Sequence, residues 1–160
     1  MMSVTHSSFT LEREYAASPA RVFAGFATKE QKAKWFGDPS QPPATWDFDF
    51  TEGGRERTEG EFHGQNSIFD AIYHDIVENE RIVFSYTMHY GDAKLSSSLQ
   101  SLEFFATPIG TRLLLTEHGA YFDGNDNPGG REEGTRGLLE QLRTRGATAR
   151  ARWHGDPCVV

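Results

Sequence analysis

The sequence predicts an α+β fold in which an antiparallel sheet curves around one long C-terminal helix. Two observations support this prediction: after residue 45, six strand-like segments follow one another with short turns, and a single long helical segment comes after them. Strands and helices do not alternate, which excludes a fold built from parallel βαβ units. The 160 residues suit one domain.

The first predicted elements are a strand and two short helices. Phe9–Tyr15 alternates between two faces, as expected of a strand with one buried side. Ser18 and Pro19 are typical of an N-cap and a first helical residue, and an apolar helical stripe follows them. A capping-box spacing that begins at Thr28 predicts a second short helix up to about Trp35.

Six strands and one helix follow in the prediction. The predicted strands span residues 46–50, 56–62, 67–77, 82–90, 95–106 and 111–118. After a loop rich in Gly, Asn and Asp, a helix is expected from about Arg131 to Arg145, with leucines on one face. The predicted organisation is an N-terminal extension (1–8), one domain (9–145) and a C-terminal tail (146–160). Both a continued helix and a frayed end stay open for the tail.

Composition excludes several classes of function and compartment. The formal net charge is -7, and an acidic chain neutralises few phosphates, so we expect no nucleic-acid partner. The single cysteine, Cys158, allows no internal disulfide and no cysteine zinc cluster, which fits a reducing compartment. We see no signal peptide and no apolar run near the roughly 20 residues of a membrane span. We therefore expect a soluble, cytoplasmic protein.

Turn lengths predict which strand residues share a face, because they fix the register of each hairpin. The expected pairs are Phe48 with Thr58, Asp75 with Phe84, Phe104 with Leu113, and Gln100 with Glu117. This register places most of the aromatic residues on one inner face. Most of that face is expected to be core, and a part of it would line a pocket.

Two carboxylates, Asp75 and Glu117, are predicted to lie on the aromatic face near Tyr73 and Tyr86. A carboxylate among aromatic rings has a raised pKa unless it is paired or hydrogen-bonded. One interpretation is a group that orients a ligand or transfers a proton. The other is a strand-end carboxylate that reaches solvent, or one half of a structural ion pair. Both interpretations stay open from the sequence.

Motifs for metal, nucleotide or nucleophilic chemistry are not found. The six histidines lack the spacing that places two ligands on one metal ion. The sequence contains no nucleophile elbow, no P-loop and no dinucleotide-binding glycine pattern after a strand. We therefore expect no metal and no cofactor, and no motif demands catalysis.

Several motifs together resemble the START-like (SRPBCC) superfamily over about residues 8–145. The matching segments are Phe9-x-x-Glu12-Arg13, Ser18-Pro19, Val22-Phe23, Trp35-Phe36-Gly37, Gly53-Gly54-Arg55, Tyr73-His74-Asp75-Ile76-Val77, Glu80-Arg81-Ile82-Val83-Phe84 and Gly110-Thr111-Arg112-Leu113. More narrowly, they resemble the branch of the activator of heat-shock-protein-90 ATPase homologues. Members usually have Trp after the Gly of the final helix, where this chain has Gly134-Thr135, and Pro-Pro where it has Glu78-Asn79.

The resemblance implies a helix-grip fold, with a seven-stranded antiparallel sheet around a long C-terminal helix and a cavity between them. Relatives bind lipids, hormones or polyketides, some are cyclases or hydrolases, and the eukaryotic namesake assists a chaperone. We therefore predict binding of a small hydrophobic molecule, with a chaperone-associated role and a cyclase- or hydrolase-type enzyme as alternatives. The predicted cavity residues are Trp46, Phe48, Gly60, Phe69, Ala71, Tyr73, Asp75, Phe84, Tyr86, Met88, Leu102, Phe104, Leu115, Glu117 and Leu138.

Overall fold

The elements follow the predicted order within residues 2–146, the part of the chain that the computed structural model describes. They are β1 (Val4–Tyr15), α1 (Pro19–Ala27), α2 (Lys29–Lys32), β2 (Thr45–Phe48), β3 (Arg55–Phe62), β4 (Gln65–Val77), β5 (Arg81–Tyr90), β6 (Ala93–Thr107), β7 (Gly110–Phe122) and α3 (Pro128–Arg145). The seven strands form one sheet in the order β1-β7-β6-β5-β4-β3-β2. Together with α3, this sheet confirms the predicted helix-grip fold. The predicted tail lies outside the described residues from position 147 onward.

The core lies between one face of the sheet and the helices. Val22 of α1 and Leu142 of α3 are both 0% exposed and belong to the same cluster as the inner residues of the strands. Tyr15 of β1 donates its hydroxyl hydrogen to the carbonyl oxygen of Leu139 at 2.9 Å. This bond fixes α3 to the edge strand of the sheet, so the helix covers the aromatic face.

The boundaries of β1 and α2 differ from the sequence prediction. β1 begins at Val4, which pairs with Phe122, so residues 4–8 are part of the sheet rather than an extension. α2 ends at Lys32 rather than at about Trp35. The indole N–H of Trp35 donates instead to the carbonyl oxygen of Gly25 at 2.8 Å, which holds this segment against α1.

The predicted register of the β6–β7 hairpin is confirmed, whereas those of β2 to β4 are wrong by two residues. Phe48 pairs with Glu56 rather than with Thr58. The β3–β4 turn holds only His63 and Gly64, whose φ angles of 49° and 83° suit a two-residue hairpin loop. A shift of two residues keeps every side chain on its predicted face. The observed register places Glu56 opposite Phe48 and Ala71, on the aromatic face of the sheet.

Asp75 lies on the opposite face of the sheet from the one predicted. His74 forms a β-bulge ahead of Asp75, and the extra residue reverses the alternation of sides beyond it. Asp75 therefore pairs with Val83 rather than with Phe84. Its half-exposed carboxylate forms an ion pair with Arg81. The prediction that Asp75 joins the aromatic face is wrong.

The final helix begins at Pro128, three residues before the predicted start, because Asn127 caps it. The side-chain oxygen of Asn127 accepts a hydrogen bond from the backbone N–H of Gly130 at 2.6 Å. Pro128 suits the first helical position, where a backbone N–H would have no helical partner. The cap positions the first turn of α3, which carries Arg131 to the cavity described below.

Replacing Asn127 by Ala is expected to lower the free energy of unfolding by about 1 kcal/mol, since the cap is lost. Urea denaturation followed by far-UV circular dichroism measures this loss. Asn127→Ser is the matched control, because serine retains an oxygen that accepts the same hydrogen bond. An equal loss in both variants would contradict the capping role.

Candidate functional site

A cavity of about 500 Å³ lies between α3, the segment around α2 and the inner face of the sheet. Most of its wall is aromatic or aliphatic, and α3 contributes Arg131, Thr135 and Leu138 among others. The predicted residues that line it are Phe69, Tyr73, Phe84, Tyr86, Met88, Leu102, Leu115 and Leu138. Sites for small organic molecules have this size and this mainly apolar lining.

A buried ion pair lies at one polar part of the wall, which Lys32 and Tyr73 line. The Nζ atom of Lys32 lies 2.6 Å from Oε1 of Glu56, and the two side chains are 5% and 0% exposed. The hydroxyl of Tyr73 donates to the same oxygen at 2.7 Å, and the indole of Trp46 donates to Oε2 at 3.0 Å. Both carboxylate oxygens are thus hydrogen-bonded, as a buried ion pair requires. We call Lys32, Trp46, Glu56 and Tyr73 the lysine cluster.

The ammonium group of Lys32 also lies among aromatic rings. Its Nζ atom is 4.5 Å from the ring centroid of Phe36, 5.7 Å from that of Phe69 and 6.0 Å from that of Phe84. The faces of such rings attract a cation. Because Lys32 lines the cavity, its ammonium group is a hydrogen-bond donor available to a ligand on this side.

A second polar part of the wall centres on Arg131 of α3. Its guanidinium donates to the hydroxyl of Tyr86 at 2.9 Å and to Ser96 Oγ and Asp126 Oδ2 at 2.7 Å each. The hydroxyl of Tyr86 donates in turn to Oε1 of Glu117 at 2.7 Å. The first turn of α3 is therefore linked to β5, β6 and β7. The arginine cluster consists of Tyr86, Ser96, Gln100, Glu117, Asp126 and Arg131.

Glu117 is fully buried behind Tyr86 and Gln100, which line the cavity. Both neighbours donate to its Oε1, at 2.7 and 2.9 Å. Its Oε2 has no hydrogen-bond partner within residues 2–146, and Nη1 of Arg131 is 4.0 Å away. Burial raises the pKa of Glu117 above its usual value, against the opposing effect of the hydrogen bonds. Glu117 is therefore a buried carboxyl group held in place by two donors from the cavity wall.

The raised pKa of Glu117 gives the stability of the protein a predictable pH dependence. The folded state holds this proton more tightly than the unfolded chain, in which Glu has a pKa of about 4.3. Its stabilising contribution is therefore present below that pH and is lost as the pH rises towards the folded-state pKa. Gln does not titrate, so the free energy of unfolding of Glu117→Gln should rise relative to that of the wild type as the pH increases from about 4 to 8. Urea denaturation across this range measures the difference, and a relative gain by wild type would contradict it.

Several predicted cavity residues lie outside the wall of the cavity: Trp46, Phe48, Gly60, Ala71, Asp75, Phe104 and Glu117. Phe104 packs its ring against that of Phe23, with centroids 5.4 Å apart. A Cβ atom added to Gly60 would lie 3.0 Å from Cα of Pro43. Gly60 therefore makes room for the loop before β2, rather than for α3 or a ligand.

The polar residues of the site that were not predicted from the sequence include Lys32, Glu56 and Arg131. A signal for Glu56 existed, because it is two residues from Thr58 and so shares its face of β3. Lys32 lies in a helix of four residues, too short for a periodic pattern to show which side it buries. Arg131 follows two glycines at the start of α3, where no apolar stripe had begun.

Metal-binding and membrane-spanning features are absent from the described part of the chain. Within residues 2–146, no group of three or more His, Cys, Asp or Glu residues could hold a metal ion. No helix in the same range is long and apolar enough to cross a membrane.

Comparisons with known proteins identify similar families and structures. The family model described as "Activator of Hsp90 ATPase homolog 1-like protein" matches residues 16–146. No curated protein matches the chain. An uncharacterised protein from Rhizobium leguminosarum is 35% identical, with a TM-score of 0.84 over 89% of this chain and 95% of its own. A protein from Rhizobium loti is 48% identical, with a TM-score of 0.82 over 88% and 96%.

Proposed function

This chain belongs to the family of Activator of Hsp90 ATPase homolog 1-like proteins, and we propose that it binds a small, mainly apolar molecule beneath α3. The observation that supports this proposal is the cavity of about 500 Å³ between α3 and the inner face of the sheet. Protein interiors are close-packed and leave few voids larger than a water molecule. Apolar space of this size, with a few polar groups in its wall, is typical of a binding site.

The surroundings of Phe36 and Gly37 suggest where a ligand enters. A neighbouring surface depression of about 470 Å³ shares Phe36, Gly37, Thr58, Phe62 and Ser67 with the cavity. Phe62 is 42% exposed although its ring is apolar. We infer that a ligand enters the cavity through this depression, beside Phe62.

Native mass spectrometry of freshly purified protein, with a denatured control, tests this proposal. We expect a reproducible mass excess that is lost on denaturation, and its value would give the mass of the bound molecule. Biphenyl and 4-hydroxybiphenyl should also raise the thermal midpoint with concentration, as any ligand of the folded state does. A protein that retains no molecule and is stabilised by neither probe would contradict the proposal.

The same experiments separate ligand binding from the two alternatives. A protein that holds no small molecule but stimulates the ATPase activity of a chaperone would favour the chaperone-associated role. Turnover of the molecule released on denaturation would favour the enzyme. Neither alternative is supported by a specific contact within residues 2–146, whereas the cavity supports binding.

A further inference from the structure

Two polar clusters of similar composition interrupt the apolar wall of the cavity. Each contains a cation, a carboxylate and a tyrosine whose hydroxyl donates to that carboxylate. These three groups are Lys32, Glu56 and Tyr73 in the lysine cluster and Arg131, Glu117 and Tyr86 in the arginine cluster. Burying two such sets of charged and polar groups costs free energy. A core that holds no ligand would gain little stability from them.

The clusters lie on different sides of the cavity, and two phenylalanine rings adjoin both of them. The lysine cluster lies over β2, β3 and β4, and the arginine cluster lies over β5, β6 and β7. Nζ of Lys32 is 5.7 and 6.0 Å from the ring centroids of Phe69 and Phe84. The ring of Tyr86 is 5.1 and 5.8 Å from the same two rings. A molecule packed on these rings would reach both clusters.

Each cation of the clusters is already paired with a carboxylate of the protein. Nζ of Lys32 lies 2.6 Å from Glu56, and Nη2 of Arg131 lies 2.7 Å from Asp126. A ligand carboxylate would therefore add an uncompensated negative charge to a buried site, at a considerable cost in free energy. The balance of charge favours a neutral ligand.

Each cluster keeps some hydrogen-bonding capacity that no other side chain uses within residues 2–146. The ammonium group of Lys32 has three N–H donors but, in the described part of the chain, only two side-chain acceptors, Glu56 Oε1 and the hydroxyl of Tyr73, so one donor remains for a ligand. Gln100 uses one N–H on Glu117, and its amide oxygen has no side-chain partner. Lys32 and Gln100 both line the cavity, so a ligand oxygen suits the first and a ligand hydroxyl suits the second.

The cavity wall contains more aromatic rings than aliphatic side chains, so an aromatic ring of a bound molecule can pack against the rings of the wall. From these observations we infer that the ligand is a neutral aromatic molecule with an oxygen substituent at each of two ends. The lysine cluster binds one oxygen, and Gln100 of the arginine cluster binds the other. This inference rests on the proposed function, since it names the class of molecule that the same cavity takes.

Titration calorimetry with four probes tests the inference: 4,4′-dihydroxybiphenyl, 4-hydroxybiphenyl, biphenyl and dodecanoate. We expect each hydroxyl to strengthen binding by about fivefold, the usual gain from one hydrogen bond, and dodecanoate to bind most weakly. Equal affinity for the three biphenyls, equal affinity for the two hydroxylated ones, or a preference for dodecanoate would overturn the inference while leaving ligand binding intact. Binding of none of the four would contradict ligand binding itself.

Gln100→Leu tests the arginine-cluster side separately. The variant should bind 4,4′-dihydroxybiphenyl about fivefold more weakly, to the level of 4-hydroxybiphenyl, because the second hydroxyl loses its partner. Biphenyl, measured with the same variant, corrects for the change in the apolar wall, so the ratio of the 4,4′-dihydroxybiphenyl affinity to the biphenyl affinity should fall about fivefold. Gln65→Leu, at an exposed position of the β3–β4 hairpin, is the matched control and should alter neither affinity. Undiminished binding of the dihydroxy probe by Gln100→Leu would overturn the assignment.

Discussion

Replacing Glu56 by Gln is expected to lower the free energy of unfolding by about 3–5 kcal/mol, the usual cost of removing one partner of a buried ion pair. The ammonium of Lys32 would stay in the core without a counter-charge, because its side chain is only 5% exposed. Neighbouring rings of Phe36 and Phe69 offset only a small part of that cost. Urea denaturation followed by tryptophan fluorescence measures the loss.

An exposed ion pair provides the control for this prediction. Arg55 is 60% exposed beside Asp70, so Asp70→Asn should cost less than about 1 kcal/mol. The double variant Lys32→Met, Glu56→Gln should recover most of the lost stability, because it removes the unpaired charge. A loss for Glu56→Gln as small as that for Asp70→Asn would contradict the burial of this pair.

Replacing Thr135 by Trp is expected to weaken binding of 4-hydroxybiphenyl by roughly 5- to 150-fold, since overpacking costs typically 1–3 kcal/mol. Thr135 is 7% exposed and lines the cavity from α3, so an indole there occupies space that a ligand needs. The family resemblance described above implies Trp after the glycine of the final helix in relatives, so we expect the fold to accept an indole here. Titration calorimetry measures the affinity.

Thr144→Trp is the matched control for this variant, with the same substitution at an exposed position of α3. It should leave the affinity for 4-hydroxybiphenyl at the wild-type value. Both variants should unfold cooperatively, and filling the cavity should not lower the stability of Thr135→Trp. Wild-type affinity in the Thr135→Trp protein would place the binding site elsewhere.

The fold was predictable because its signals are local. Strand alternation, turn residues and the leucines of α3 each lie within a short stretch of sequence. The register of β6 and β7 was also predictable, since the turn at Pro108 and Ile109 joins the two strands directly. The register of β3 and β4 was not predictable. The loop between them is only two residues long, which requires positive φ angles at His63 and Gly64, and composition alone does not reveal those angles.

The site was less predictable than the fold because it depends on how distant elements pack. Alternation placed Tyr73, Tyr86 and Glu117 on the inner face, where they are found. It failed for Asp75, because the bulge at His74 has no marker in the sequence. Lys32 enters the site through the packing of α2 on the sheet, which no local periodicity encodes.

The central claim is that a small, mainly apolar molecule binds beneath α3. Methyl NMR during a titration with 4-hydroxybiphenyl tests it directly. Met88, Leu102 and Leu138 line the cavity, whereas Leu99 and Ile109 are 45% and 71% exposed outside it. Binding beneath α3 predicts saturable shifts of the first three methyl signals and none of the last two. Shifts confined to Leu99 and Ile109, or no shifts at all, would contradict the claim.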